Sequence, residues 1–194
     1  MREPSSPVSL PDSSSRTMSL RAVILLRGIN VGGRHPVPMA ALRRLAEEQG
    51  CHDVVSYIQS GNLVVTVSAA FSSSMLAAAI ERLFGFAVPI TMRTLPEITT
   101  LVETNPFVPA GRALETLHCV FLRDPLASAQ REKLNALCVG GEAIAASARE
   151  LLLYLPNGAG RSKLATACTA GSMPGSPTIR NWKTVLALAA MLRQ

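Results

Sequence analysis

The chain has 194 residues, 48% hydrophobic and 16% charged, which is enough apolar material for a core and excludes a wholly disordered chain. The longest apolar run, Val185–Leu192, falls far short of the roughly 20 residues a membrane helix needs, and no charged-then-apolar leader precedes Leu20. Neither a membrane span nor export is therefore expected. The net charge of +6 is a C-terminal feature, because residues 161–194 carry Arg161, Lys163, Arg180, Lys183 and Arg193 and no acid.

Residues 1–17, with three prolines and six serines, read as a disordered tail, and Met18 is a candidate start. Ala22–Arg27 is a short apolar run that fits a buried strand. A glycine loop follows over Gly28–Pro36, and then a helix with Pro38 at its first position and Gly50 as its stop. Val54–Ile58 and Leu63–Val67 read as strands joined by the turn Gln59-Ser60-Gly61-Asn62. A helix capped at Ser72–Ser74 runs to Gly85, and Val88–Arg93 is a fourth strand. This order of strand, helix, strand, strand, helix, strand is the split βαβ or ferredoxin-like unit. A short helix, Pro96–Thr104, leads into the rest of the chain.

The second half repeats the order. His118–Arg123 is a strand whose C-V-F-L-R echoes V-I-L-L-R at Val23–Arg27. Asp124 and Pro125 predict a helix start, and Gly140-Gly141 its end. Glu142–Ala146 and Glu150–Leu155 form a hairpin, with E-L-L-L-Y-L echoing N-L-V-V-T-V. Helices are predicted over Arg161–Ala170 and Ile179–Arg193. The expected architecture is α/β (α+β): two tandem ferredoxin-like halves, 18–94 and 95–194, with a C-terminal helix in the second.

Four polar segments are candidates for chemistry. The loop Arg27-Gly-Ile-Asn30-Val-Gly32-Gly33-Arg34 follows a strand and precedes a helix, a setting in which backbone N–H groups meet anions. It matches neither dinucleotide nor P-loop spacing. The turn Gln59-Ser60-Gly61-Asn62 is either a polar site or an ordinary turn. In an uninterrupted unit it is expected at the opposite end of the strands from the glycine loop, and the sequence does not bring the two together. Asn157–Lys163 sets Arg161 and Lys163 at a helix start. In Thr178–Thr184, a helix would place Arg180, Lys183 and Thr184 on one face, beside Asn181 and opposite a core Trp182. Cations there oppose the helix dipole and favour a nearby anion.

Cys51, Cys119, Cys138 and Cys168 form no C-x-x-C pair and read as reduced thiols of a cytoplasmic protein. No residue spacing suggests a metal or a cofactor, no G-x-S-x-G elbow is present, and no histidine stands beside an evident acid partner.

L-L-R-G-I-N-V-G-G at Leu25–Gly33, V-P-M at Val37–Met39, Y-I-Q-S-G-N at Tyr57–Asn62, N-P-F at Asn105–Phe107, S-K-L at Ser162–Leu164 and R-N-W-K-T-V at Arg180–Val185 occur in order. Together they resemble the signatures of a bacterial family of unknown function, DUF1697. The resemblance implies a tandem ferredoxin-like fold and supplies no activity, cofactor or catalytic residue. Three functions stay open. The first is binding of a small anionic ligand or phosphate group through Arg27, Asn30, Gly32, Gly33, Gln59, Ser60, Asn62, Lys163, Arg180, Asn181 and Lys183. The second is an enzyme acting on a phosphorylated or carboxylated substrate. The third is an interaction or scaffold protein in which Arg180 or Asn181 bonds the glycine loop internally. The basic C-terminus allows nucleic acid as a partner, but the chain has only 5 Phe, 2 Tyr and 1 Trp to stack bases.

Overall fold

The structure, a computed structural model, describes residues 19–194; the tail expected over 1–17 lies outside the described residues. The first half runs β1 (Ser19–Leu26), α1 (Met39–Glu48), β2 (Cys51–Tyr57), β3 (Asn62–Ser68), α2 (Ser73–Phe84) and β4 (Ile90–Thr94), and α3 (Leu95–Glu103) follows it. The second runs β5 (Leu117–Phe121), α4 (Ser128–Asn135), β6 (Ala143–Ser147), β7 (Glu150–Tyr154), α5 (Lys163–Cys168), β8 (Thr178–Asn181) and α6 (Trp182–Leu192). The sheet orders are β2-β3-β1-β4 and β6-β7-β5-β8, with antiparallel pairing throughout. These are the same order in two consecutive units, so the fold consists of two ferredoxin-like halves.

The continuous apolar run of β1 follows from burial on both sides of the sheet, because successive strand residues point to opposite faces. Ala22, Ile24 and Leu26 pack with Leu42 of α1 and Leu76 and Ile80 of α2. Val23 and Leu25 face the other way into a central layer, with Ile98 and Leu101 of α3, Cys119 and Phe121 of β5, and Trp182 and Val185 of α6. A third cluster, with Val120 and Leu122 facing Leu134 and Leu164, completes the second half. The central layer joins the halves. No helix among the described residues is long and apolar enough to cross a membrane.

Several helix starts differ from the sequence reading. Ile179–Arg193 is not one helix. Thr178–Asn181 is β8, the fourth strand of the second sheet, and α6 begins at Trp182. Thr178 and Ile179 are β-branched and suit a strand. Asn181 then caps α6, its Oδ1 accepting from the Lys183 N–H at 2.9 Å. Arg180, Lys183 and Thr184 therefore do not share a helix face. Asp124 caps no helix: Leu126 is buried in the third cluster, and α4 starts only at Ser128. The helix expected from Arg161 starts at Lys163 behind Ser162, whose hydroxyl accepts from Ala165 N–H. Pro38 is the N-cap of α1, not its first residue.

Trp182 is fully buried in the layer shared by both halves. Trp182→Ala should lower unfolding stability by about 3–5 kcal/mol in urea titration, and a loss of under about 1 kcal/mol would contradict the central layer as the main junction.

Candidate functional site

Strand register fixes which residues of the two halves correspond. Leu25 of β1 stands opposite Asn62 of β3 and Thr91 of β4. Phe121 of β5 stands opposite Glu150 of β7 and Thr178 of β8. Asn62 thus corresponds to Glu150, Leu26 to Leu122, and Arg93 to Arg180.

Each of these arginines crosses into the other half. Arg180 Nε donates to Asn62 Oδ1 at 2.6 Å. Its Nη2 donates to the carbonyls of Leu26 at 2.8 Å, Ser60 at 3.1 Å and, more weakly, Gly61 at 3.4 Å. Nη1 donates to Thr178 Oγ1 and to the Ile179 carbonyl, both at 2.8 Å. Reciprocally, Arg93 Nε donates to Glu150 Oε1 at 2.5 Å. Its Nη2 reaches the carbonyls of Leu122 at 2.6 Å and Arg149 at 3.1 Å, and Nη1 the carbonyl of Met92 at 2.8 Å. The arrangement is a pseudo-symmetric exchange of arginines at the ends of β1 and β5.

The two ends differ in charge. Arg93 is 1% exposed and is paired with a carboxylate that is itself 8% exposed. Beside it, Arg149 Nη2 bonds Glu97 Oε1, which adds a second ion pair. Arg180 is 9% exposed, and its acceptors are carbonyls, a hydroxyl and an amide. Desolvation lowers its pKa to about 10, so it stays cationic at neutral pH. Its charge is spread over good acceptors and is not cancelled by any of them.

The glycine loop and the β2–β3 turn lie at the same end of the first sheet. The expectation that they lie apart fails because β3 runs antiparallel to β1 and starts where β1 ends, with Leu26 N–H bonded to Gly61 O at 2.8 Å. Gly61 has φ +77°, and an added Cβ would stand 2.8 Å from Leu26 Cβ, so both the turn and the close approach require glycine here. Asn30 joins the two segments. Its Nδ2 donates to Gln59 O at 2.8 Å and Val37 O at 2.9 Å, and its Oδ1 accepts from Val37 N–H at 2.8 Å. Asn62 Nδ2 donates to Tyr57 O at 3.2 Å and Ser60 Oγ at 3.0 Å.

The remaining candidates divide. Arg27 is half-buried and gives one N–H to Thr169 O, at the end of α5, at 2.8 Å. Gly32, Gly33 and Gln59 are exposed. Asn181 works as the cap of α6 and donates to Glu115 O at 3.0 Å. Lys183 is exposed, with its Nζ 3.7 Å from Glu115 Oε2. Lys163 is exposed on α5, and no hydrogen bond or ion pair among the described residues ties it to the Arg180 cluster. Of the five C-terminal cations, Arg180 is buried and the exposed Lys183 stands beside an acid. Among the described residues no group of three or more His, Cys, Asp or Glu could hold a metal ion.

Arg93 and Glu150 were missed by sequence reading. Their signal was present: T-M-R-T at Thr91–Thr94 parallels T-I-R-N at Thr178–Asn181, and the Glu150 strand already echoed the Asn62 strand.

Known proteins place the fold. The model of the family described as "Protein of unknown function (DUF1697)" matches residues 20–152. The chain belongs to this DUF1697 family. It is also similar to the solved structure of the conserved bacterial protein SP0830 from Streptococcus pneumoniae, at 25% identity and a TM-score of 0.68, over 90% of this chain and 99% of that one. No curated protein matches the chain.

Two outcomes follow from the Arg93 end. Glu150→Gln leaves a buried guanidinium without its counter-charge and should cost about 3 kcal/mol or more in urea titration; an unchanged midpoint would contradict the ion pair. Burial pushes the Glu97 carboxyl up, but hydrogen bonds from Thr94 N–H and Oγ1 and the Arg149 charge outweigh it and hold the pKa below its ordinary value. Its stabilisation is therefore present above the unfolded carboxylate pKa and is lost as pH falls through the folded value. The Tm difference between the native chain and Glu97→Gln should accordingly shrink on acidification. A difference that persists or grows at low pH would reverse the sign.

Proposed function

We propose that this protein binds a small anionic group, a phosphate or carboxylate, at the end of the first sheet where Arg180 meets the β2–β3 turn. The observation that carries this reading is the difference between the two exchanged arginines. Arg93 has the Glu150 carboxylate, while Arg180 has the neutral Asn62 at the corresponding position. A cation buried without a counter-charge attracts an anion more strongly than an exposed one, because solvent screens it less. All five Arg180 N–H groups already have protein acceptors, so the ligand is drawn by charge and contacts the groups around it. These are the exposed Gln59 amide and, both half-buried, the Ser60 hydroxyl, which also accepts from Asn62, and the Arg27 N–H groups that do not face Thr169.

The fully engaged guanidinium favours a second reading, a scaffold whose signature residues serve only to lock the halves together. Asn30, Asn62 and Arg180 all bond internally, although Arg180 meets Leu26 and the β2–β3 turn, and neither it nor Asn181 bonds the Gly28–Gly33 loop.

Asn62→Asp separates the two. It supplies the missing carboxylate one amide-to-oxygen change away from the native side chain. The Tm of the native chain should rise with phosphate beyond the rise given by chloride at equal ionic strength, with roughly 2.7 kcal/mol gained at about 100 times Kd. Asn62→Asp should remove that response, whatever its own Tm. An equal phosphate response in both proteins would contradict the assignment to Arg180. No phosphate-specific response in the native chain would favour the scaffold.

A further inference from the structure

We propose that the cleft between the two halves is a second binding site, for a small organic oxyanion (a carboxylate or a phosphate ester on a compact apolar body), with Arg123 as its charged contact. The cleft is open on one side and has a volume of about 550 Å³, within the roughly 300–1,000 Å³ usual for small-molecule sites. The first half supplies Ser73 and Ala77 of α2 and Pro89 and Ile90 at the entry to β4; the second supplies Arg123 and Ser176.

Register makes Arg123 the counterpart of Arg27. Arg27 gives an N–H to the carbonyl that ends α5. The Arg123 guanidinium has no hydrogen-bond or ion-pair partner among the described residues, and it lines the cleft. The segment that follows α5 packs against its base: Gly175, at φ +73°, lies so close that an added Cβ would be 2.7 Å from Arg123 Cβ. The next residue, Ser176, also in the cleft lining, is held at φ +51°, a conformation uncommon for serine.

Chemistry then selects the ligand. An unpartnered arginine in a lining that also includes Ser73 and Ser176 suits an oxyanion, which takes several N–H and O–H donors at once. Ala77, Pro89 and Ile90 offer an apolar wall for the rest of the molecule. Glu81, two turns of α2 beyond Ser73, also lines the cleft and disfavours a second anionic group at that end. The proposal does not depend on the Arg180 reading, since Arg123 takes no part in the side-chain contacts of that cluster.

The test is calorimetric titration of the full chain with benzoate, phenyl phosphate, inorganic phosphate and benzylamine. Benzoate or phenyl phosphate should bind saturably, more tightly than inorganic phosphate, and benzylamine should not bind. Arg123→Gln, a change at an exposed side chain, should weaken binding about tenfold, the loss expected for a charge-assisted hydrogen bond. Ala77→Phe, which fills the cleft, should abolish it. Absence of saturable binding, insensitivity to both variants, or a preference for benzylamine or for inorganic phosphate would each overturn the proposal. Arg123→Gln leaves the Arg180 contacts intact, so its result is separable from that of Asn62→Asp.

Discussion

Two guanidinium groups, each donated by the last strand of one half to the first strand of the other, set the relation between the halves. Arg93 holds the Leu122 carbonyl and Arg180 the Leu26 carbonyl. A strand-end carbonyl buried at a junction needs a donor, because an unpaired buried polar group is costly. The arginines meet that need and are placed by the same register that builds the sheets. The central apolar layer supplies most of the burial, but apolar contact is non-directional. The arginine exchange adds direction: it fixes which strand end faces which.

The two ends differ in how the buried charge is handled. At the Arg93 end, Glu150 supplies the counter-charge and Arg149–Glu97 a further pair beside it. At the Arg180 end, Asn62 replaces the acid and Gly61 stands where Arg149 does. Ile29, from the long loop that the second half lacks, is fully buried and would lie 3.0 Å from a Cβ at Gly61. One end is neutral and filled by charged side chains; the other is covered by a glycine loop and keeps its positive charge. That difference, not the mere presence of basic residues, separates a locking role from a binding role.

Much of the fold was legible because local patterns and tertiary structure agree. The buried run of β1, the αL stops at Gly50 and Gly85 and the β6–β7 hairpin each have a local cause. The fourth strand of the second half was not legible, because Thr178–Asn181 runs without a break into the strongest helical pattern in the chain. Periodicity extended that helix backwards over a strand that only sheet pairing defines. The error hid the arginine exchange, since Arg180 on a helix face has no counterpart in Arg93 on a strand. It also gave Lys183 a false partnership. Asn30, Asn62 and Arg180 were visible as unusual polar residues, but their meeting depends on the strand order β2-β3-β1-β4, which spacing alone does not give.

The central claim is that the two arginine contacts are geometrically equivalent and electrostatically different. Double-mutant cycles on unfolding stability test it directly, with Arg93→Met and Glu150→Leu at one end and Arg180→Met and Asn62→Leu at the other. Both cycles should show favourable coupling, clearly larger for Arg93–Glu150, because Glu150 adds a full opposite charge where Asn62 offers only a neutral amide. Negligible coupling for Arg180–Asn62 would remove the exchange itself. Equal couplings at the two ends would contradict the charge difference on which the functional reading stands.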